Sequence, residues 1–169
     1  FEGSSIIAVE VPKDYEGDDF AKKPLIEVKG EAGIKWLINN IQQLIIYGSG
    51  KMFDFLKENP TVKQGMKRET EEEILQDNSG RAPWYQHNDK FNQTIIEEKV
   101  ESIGNNAFYE LTQVGSIELG KAIERIGSFA FEKMESITTI TIPENVNLIE
   151  TGIFKDCKKL ETIKVHENN

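Results

Sequence analysis

The chain has 169 residues, 38% of them hydrophobic, and a formal net charge of −9. That apolar share can fill one sizeable core in one or two small units, and it sets the chain apart from disordered sequences. The negative charge argues against nucleic acid and anionic membrane surfaces as partners, because phosphate neutralisation needs clustered Lys and Arg; no run of eighteen apolar residues is present, so no segment is expected to insert into a membrane.

The chain opens at Phe1 without an initiator Met, as a processed or trimmed start does. Ile6-Ile7-Ala8-Val9-Glu10-Val11 predicts a strand, followed by a polar loop around Gly17-Asp18-Asp19. Next, Ile34-Lys35-Trp36-Leu37-Ile38 and Leu44-Ile45-Ile46-Tyr47 flank Asn39-Asn40 and predict a β-hairpin with an Asn-centred turn, ended by Gly48-Ser49-Gly50. Residues 26–52 therefore read as a β-rich N-terminal cap, with Trp36 sealing the core. Beyond it, Met52, Phe53 and Leu56 fall at helical spacing, and Glu69 to Asp77 is a charged run. This predicts a helical insertion over about 53–82, in which Phe53, Leu56 and Met66 dock on the cap while Glu69, Glu71, Glu72 and Glu73 face solvent.

The rest of the sequence repeats with a period of about 23 residues. Ile103, Ile126 and Ile149 open the units, and Phe108, Phe131 and Phe154 follow; then come Val114, Ile137 and Leu160, then Ile117, Ile140 and Ile163, then Leu119, Ile142 and Val165. A period of this size with this apolar skeleton predicts a leucine-rich-repeat solenoid, in which each unit buries its apolar face only against its neighbours. Thr139-Ile140-Thr141-Ile142 alternates with period two and reads as a strand with one face inward, stopped by Pro143. The opposite arm, Ile126-Gly127-Ser128-Phe129-Ala130-Phe131, suits a short helical or 3-10 turn better than a second strand. One period further back, Phe91, Thr94 and Ile96 match Val114, Ile117 and Leu119, so a fourth strand is expected over about Gln93 to Glu97. The predicted class is α/β and β-rich: a short right-handed coil with a parallel concave sheet about 14 Å deep, and a β-rich N-terminal cap carrying the helical insertion. Residues 1–90 form the cap and flank, and residues 91–169 the repeats.

Because strand side chains alternate, inward Ile117 and Leu119 leave two outward columns. One holds Gln93, Ser116, Thr139 and Thr162, the other Ile95, Glu118, Thr141 and Lys164; Glu97, Gly120, Pro143 and His166 rim them. This mixed polar ladder suits protein binding by shape and hydrogen bonds, although exposed Thr also simply obeys β propensity. Motifs for other chemistry fail on spacing. Gly48-Ser49-Gly50-Lys51 lacks the first Gly of a phosphate loop, where Ile45 stands, and the Ser or Thr after the Lys, where Met52 stands. His87 and His166 read as surface histidines, apart from the single Cys157, which supports neither zinc nor a nucleophilic triad. Glu69 to Glu73 lacks the order of a calcium loop. No catalytic residue, metal or cofactor is expected. Cys157 continues the column of Leu111 and Met134 and reads as a buried core thiol. Asn92-Gln93-Thr94 is an N-glycosylation sequon, which makes Asn92 a candidate acceptor on a secreted chain.

Ile-Gly, two variable residues, Ala-Phe, then Cys or a hydrophobe, Leu and Ile-x-Ile-Pro, recurring once per period, resembles the BspA-like, or Treponema-type, leucine-rich repeat family. The likeness runs from Val100 to Val165 and is best at Ile126-Gly127, Ala130-Phe131 and Ile140-Thr141-Ile142-Pro143. Upstream, Trp36-Leu37, Leu44-x-Ile46, Gly48-Ser49-Gly50, Met52 and Ala82-Pro83-Trp84-Tyr85 look like the flank that precedes such repeats. In the third unit Glu150 replaces Gly, Ile153 replaces Ala and His166 replaces Pro, as in a terminal unit, and the stretch between Met52 and Pro83 looks like an insertion. The resemblance implies a non-enzymatic protein-binding module, surface-exposed or secreted and hence extracellular, that adheres to host matrix proteins or cells. Two alternatives stand beside it: a homodimer formed through an open C-terminal edge, and a hydrolytic enzyme with its chemistry in residues 1–80, which only carboxylates favour.

Overall fold

The structure, a computed structural model, describes residues 24–28, 33–57, 81–167 and 169. The strand expected over Ile6–Val11 and most of the expected insertion, with Met66 and Glu69 to Glu73, lie outside the described residues.

The Asn-centred turn is built as its sequence suggests. Asn39 ends strand β2 (Ile34–Asn39), and its Oδ1 accepts the amides of Ile41 and Gln43 at 3.2 and 2.9 Å, the local side-chain bonding that favours Asn in turns. Gln42 takes the left-handed conformation, φ 62°, and β3 (Gln43–Gly48) returns antiparallel to β2. A further strand, β1 (Pro24–Val28), lies antiparallel on the other side of β2.

From β3 onward the pairing is parallel. β3 pairs with β5 (Gln93–Ile96), and β5 with β7 (Ser116–Glu118). β9 (Thr139–Ile142) lies beside β7 and pairs with β11 (Thr162–Val165). Partners in β5–β7 and β9–β11 stand one repeat apart, Gln93 with Ser116 and Thr139 with Thr162, so the sequence period is the strand-to-strand step.

The opposite arm corrects the expected helical or 3-10 turn. Each unit carries a second short strand there: β6 (Val100–Ile103), β8 (Arg125–Ile126) and β10 (Leu148–Ile149) pair in parallel, with β4 (Gly50–Lys51) at the edge beside β6. Turns follow, with left-handed residues at two fixed places per unit: Asn106, Phe129 and Gly152, then Glu110, Lys133 and Asp156. Left-handed residues interrupt a right-handed helix, and they let alternate amides point in different directions. Ala107 and Tyr109 donate within their own turn, to Gly104 and Asn106, whereas Asn106, Phe108 and Glu110 donate to Ser128, Ala130 and Glu132 of the next unit at 3.0, 2.8 and 2.9 Å. Within a continuing helix such donors would be consumed internally; here three of these five join the neighbouring unit. Among the described residues the one helical element is the 3-10 turn Tyr85–His87.

The helical insertion is likewise not seen where it is described. Residues 52–57 are irregular, and Phe53 and Leu56 are exposed rather than docked on the cap. This stretch continues the path of β4 along the first repeat: the Met52 amide donates to Ser102 O and the Phe55 amide to Asn105 O. Met52 and Phe55 turn inward instead, with the Phe55 ring 5.4 Å from that of Trp84.

The core is a set of stacked columns. Phe108, Phe131 and Phe154 lie nearly parallel with centroids 5.7 and 5.6 Å apart; Phe108 and Phe131 are fully buried, each contributing roughly 1.5–3 kcal/mol, and Phe154 is partly buried. Trp84 heads this stack 5.7 Å from Phe108, its Nε1 donating to Ala107 O at 2.8 Å. Trp36 is buried and meets Trp84 edge-on at 6.3 Å, so the two indoles together close the N-terminal end. At the other end burial fades: Ile140 is 1% exposed, and Ile163, its counterpart one unit on, is 49% exposed.

Candidate functional site

The two outward columns foreseen from strand alternation stand on the outer faces of the first sheet and of the β9–β11 pair that lies beside it. Gln93, Ser116, Glu118, Thr139, Thr141, Thr162 and Lys164 are exposed, and Ile95 is half-buried. Pairing sets Ile95 beside Glu118 and Thr141 beside Lys164. The structure lengthens both columns into the hairpin. Gln43 lies beside Gln93, its Nε2 donating to Gln93 Oε1 at 3.0 Å; Ile45 lies beside Ile95, and Leu37 opposite Ile45. Leu37 is buried, 5% exposed, so the open part of the second column runs Ile45, Ile95, Glu118, Thr141, Lys164, with half-buried apolar side chains at one end and polar ones at the other. Sequence periodicity missed the apolar end because the step from Gln43 in β3 to its partner Gln93 in β5 is no multiple of the repeat period. The signal that was available is the alternation around Leu44 and Ile46, which turns Ile45 outward.

Where β7 meets β9 the face is indented. A groove of about 310 Å³ is floored by Ile117, Leu119 and Pro143 and walled by Glu118, Thr141 and His166. Just after Leu119, Gly120 packs closely on the chain one unit back: a Cβ there would sit 2.3 Å from Glu97 O. Pro143 has no amide to donate, and His166 Nδ1 stands 3.8 Å from the Glu144 carboxylate. A second hollow, of about 480 Å³, faces the second sheet among Met52, Phe53, Asp54, Glu101, Arg125 and Leu148. Arg125 is committed there to structure: it donates to Glu150 Oε1 at 2.7 Å, Asn105 Oδ1 at 3.0 Å and Asp54 Oδ1 at 3.2 Å.

The remaining candidates separate from this face. His87 is half-buried, 5.8 Å from the Trp36 ring, and burial lowers its pKa; it is packed, where a surface histidine was expected. Cys157 is half-buried because its unit is the outermost described one; its thiol donates to Phe131 O at 3.0 Å, and burial raises its pKa. Asn92 is exposed just before β5, its Nδ2 donating to Gln42 Oε1 at 3.0 Å. Among the described residues, no three His, Cys, Asp or Glu side chains gather as a metal site would require, and no helix is long and apolar enough to cross a membrane.

The chain matches the family model described as BspA type leucine rich repeat region (6 copies) over residues 82–169. Among solved structures it is similar to a leucine-rich repeat protein from Eubacterium ventriosum, with 21% identity and a TM-score of 0.50 over 85% of this chain and 45% of that one. It is also similar to a leucine-rich repeat protein from Bacteroides capillosus (16% identity, TM-score 0.46, 83% of this chain and 98% of that one). A third is the T. pallidum leucine-rich repeat protein (13% identity, TM-score 0.41, 80% and 70%). The chain spans less than half the length of the first of these, and that likeness speaks for the fold alone. No curated protein matches it. The parallel ladders advance by the repeat period, and the family model covers more than half of the sequence; the chain belongs to the BspA-type leucine-rich repeat family.

Proposed function

We propose that this chain is a non-enzymatic protein-binding module displayed outside the cell, a short solenoid with residues 1–90 as cap and 91–169 as repeats, which adheres to a host matrix or cell-surface protein through its concave face. The observation that supports this reading is the outward column from Ile45 through Ile95 to Glu118 on the first sheet and on to Thr141 and Lys164 on the β9–β11 pair beside it, with a groove beside Glu118 and Thr141. Such a face offers apolar anchorage at one end and hydrogen-bond selectivity at the other, the division of labour found in protein interfaces. The triple variant Glu118→Ala, Thr141→Ala, Lys164→Ala should lose capture of matrix protein by about tenfold or more, with its thermal midpoint unchanged. Undiminished capture by this variant would overturn the concave-face reading.

A second reading, self-association, draws on the exposure of Leu148, Ile149, Ile163 and Val165 at the C-terminal end, where Ile126, Ile140 and Ile142 one unit earlier are buried. A tagged copy of the chain run through the same capture assay tests it: retention of the copy supports a dimer, and passage through rules it out.

A further inference from the structure

We propose that Asn92 is an N-glycan acceptor and that Thr94 stands in the core because the modification requires it. Thr94 occupies the inward column of Leu44, Ile117 and Ile140. It is 1% exposed, and its Oγ1 has no hydrogen-bond partner among the described residues. A buried hydroxyl in that state is destabilising, and a β-branched hydrocarbon would fill the same space without penalty. Among the described residues, nothing engages this hydroxyl. The sequon Asn92-Gln93-Thr94 gives it a role, since acceptor recognition needs a hydroxyl two residues after the Asn. It is also the one usable sequon in the sequence, because Asn59-Pro60-Thr61 is barred by its proline.

The geometry around Asn92 is open on the side where a sugar would stand. Asn92 is exposed at the start of β5, at the opposite strand end from the rim of Gly120, Pro143 and His166 and its groove. One Nδ2 hydrogen engages Gln42, and the other is available for replacement. The neighbour one unit on is Gly115, whose amide donates to Asn92 O at 2.9 Å and around which an added Cβ would meet nothing within 4 Å. In the transfer, Asn92 Nδ2 attacks the anomeric carbon of a lipid-pyrophosphate-linked oligosaccharide. The C–N bond forms as the C–O bond to phosphate breaks, the lipid pyrophosphate leaves with the electron pair, and a base of the transferase takes the amide proton. Because Thr94 is enclosed between β3 and β7 in the folded chain, the transfer precedes folding. The glycan then projects from the end of the sheet remote from the groove and leaves the outward ladder uncovered.

This inference rests on the reading that the chain leaves the cell. Expressed behind a cleavable leader in a secreting eukaryotic cell, the chain should carry one glycan, removed by peptide N-glycosidase with conversion of Asn92 to Asp. Asn92→Gln and Thr94→Val should abolish it, and Thr94→Ser should keep it. Chain that has folded first and is then offered to the purified transferase should stay bare. A bare Asn92 on the secreted chain overturns the site, as does full modification of the Thr94→Val variant; modification of the folded chain overturns the order of events. A chain glycosylated in that host yet confined inside its own cells overturns the secretion reading alone.

Discussion

Thr94 is the residue at which packing and sequence disagree most clearly. It stands in the column between Leu44 and Ile117, and its hydroxyl is buried without a hydrogen-bond partner among the described residues. Thr94→Val keeps the volume and removes the desolvated oxygen, so the variant should be more stable by about 1 kcal/mol. The measurement is the urea midpoint, which should rise with an unchanged slope; an unchanged or lower midpoint would show that the hydroxyl is satisfied in solution. The other residues of this column needed only period-two alternation to be placed, and Thr94 itself was visible as the one polar member of an apolar series. What the sequence could not supply was the state of its hydroxyl, which depends on whether any donor or acceptor reaches the column from another element. The site was legible to the same extent. Gln93, Ile95, Ser116, Glu118, Thr139, Thr141, Thr162 and Lys164 face outward as alternation requires, whereas Ile45 joins them only through a pairing that no period announces.

At the scale of the element, the strands were readable and the arms were not, for a reason that lies in their left-handed residues. Helix-breaking turns are usually announced by Gly or Asn. Here Phe129, Glu110 and Lys133 hold such positions, and only Gly152, Asn106 and Asp156 are of types that tolerate them. Their φ is imposed by bonds to the next unit, such as Phe129 N to Thr151 O at 3.0 Å and Lys133 N to Lys155 O at 2.8 Å, so tertiary pairing overrides local preference. The glycines of the arm serve closeness instead. A Cβ on Gly127 would lie 2.5 Å from Asn105 Oδ1, 2.7 Å from Asn105 N and 2.9 Å from Gly104 C, and two of those atoms are backbone. Gly127→Ala should therefore destabilise the chain by about 1–3 kcal/mol by forcing adjacent units apart. Gly115→Ala, where an added Cβ meets nothing within 4 Å, should stay within about 0.5 kcal/mol of the parent. Equal denaturant midpoints for the two variants would remove the argument for backbone contact between units.

Across the whole molecule, successive units are fastened by carboxylates as well as by apolar columns. Glu132, with its side chain 2% exposed, accepts Lys155 Nζ at 2.8 Å and pairs with Lys57, whose Nζ also lies 4.1 Å from the centre of the Phe129 ring. Burial pushes the Glu132 carboxyl upward, but the two lysines outweigh it and hold its pKa below the ordinary glutamate value of 4.5. Glu110 is held low in the same way by Lys133 and Arg81 against burial, and Glu150 by Ser128 and then Arg125. A carboxyl whose folded pKa is depressed contributes stability that is complete above its unfolded pKa and is lost as pH falls through the folded one. The denaturant midpoint should accordingly hold steady at neutral pH and fall from about pH 5 downward. Relief of self-repulsion pulls the other way, since the chain carries a net charge of −9. At physiological salt, where screening sets in over about 8 Å, the short contacts of Glu132 should outweigh that diffuse term. Glu132→Gln cannot titrate. It should lower stability at pH 7 by about 2 kcal/mol, the worth of a charge-assisted hydrogen bond, and flatten the acid limb; a variant with the parent's full acid slope would show that Glu132 does not hold the units together.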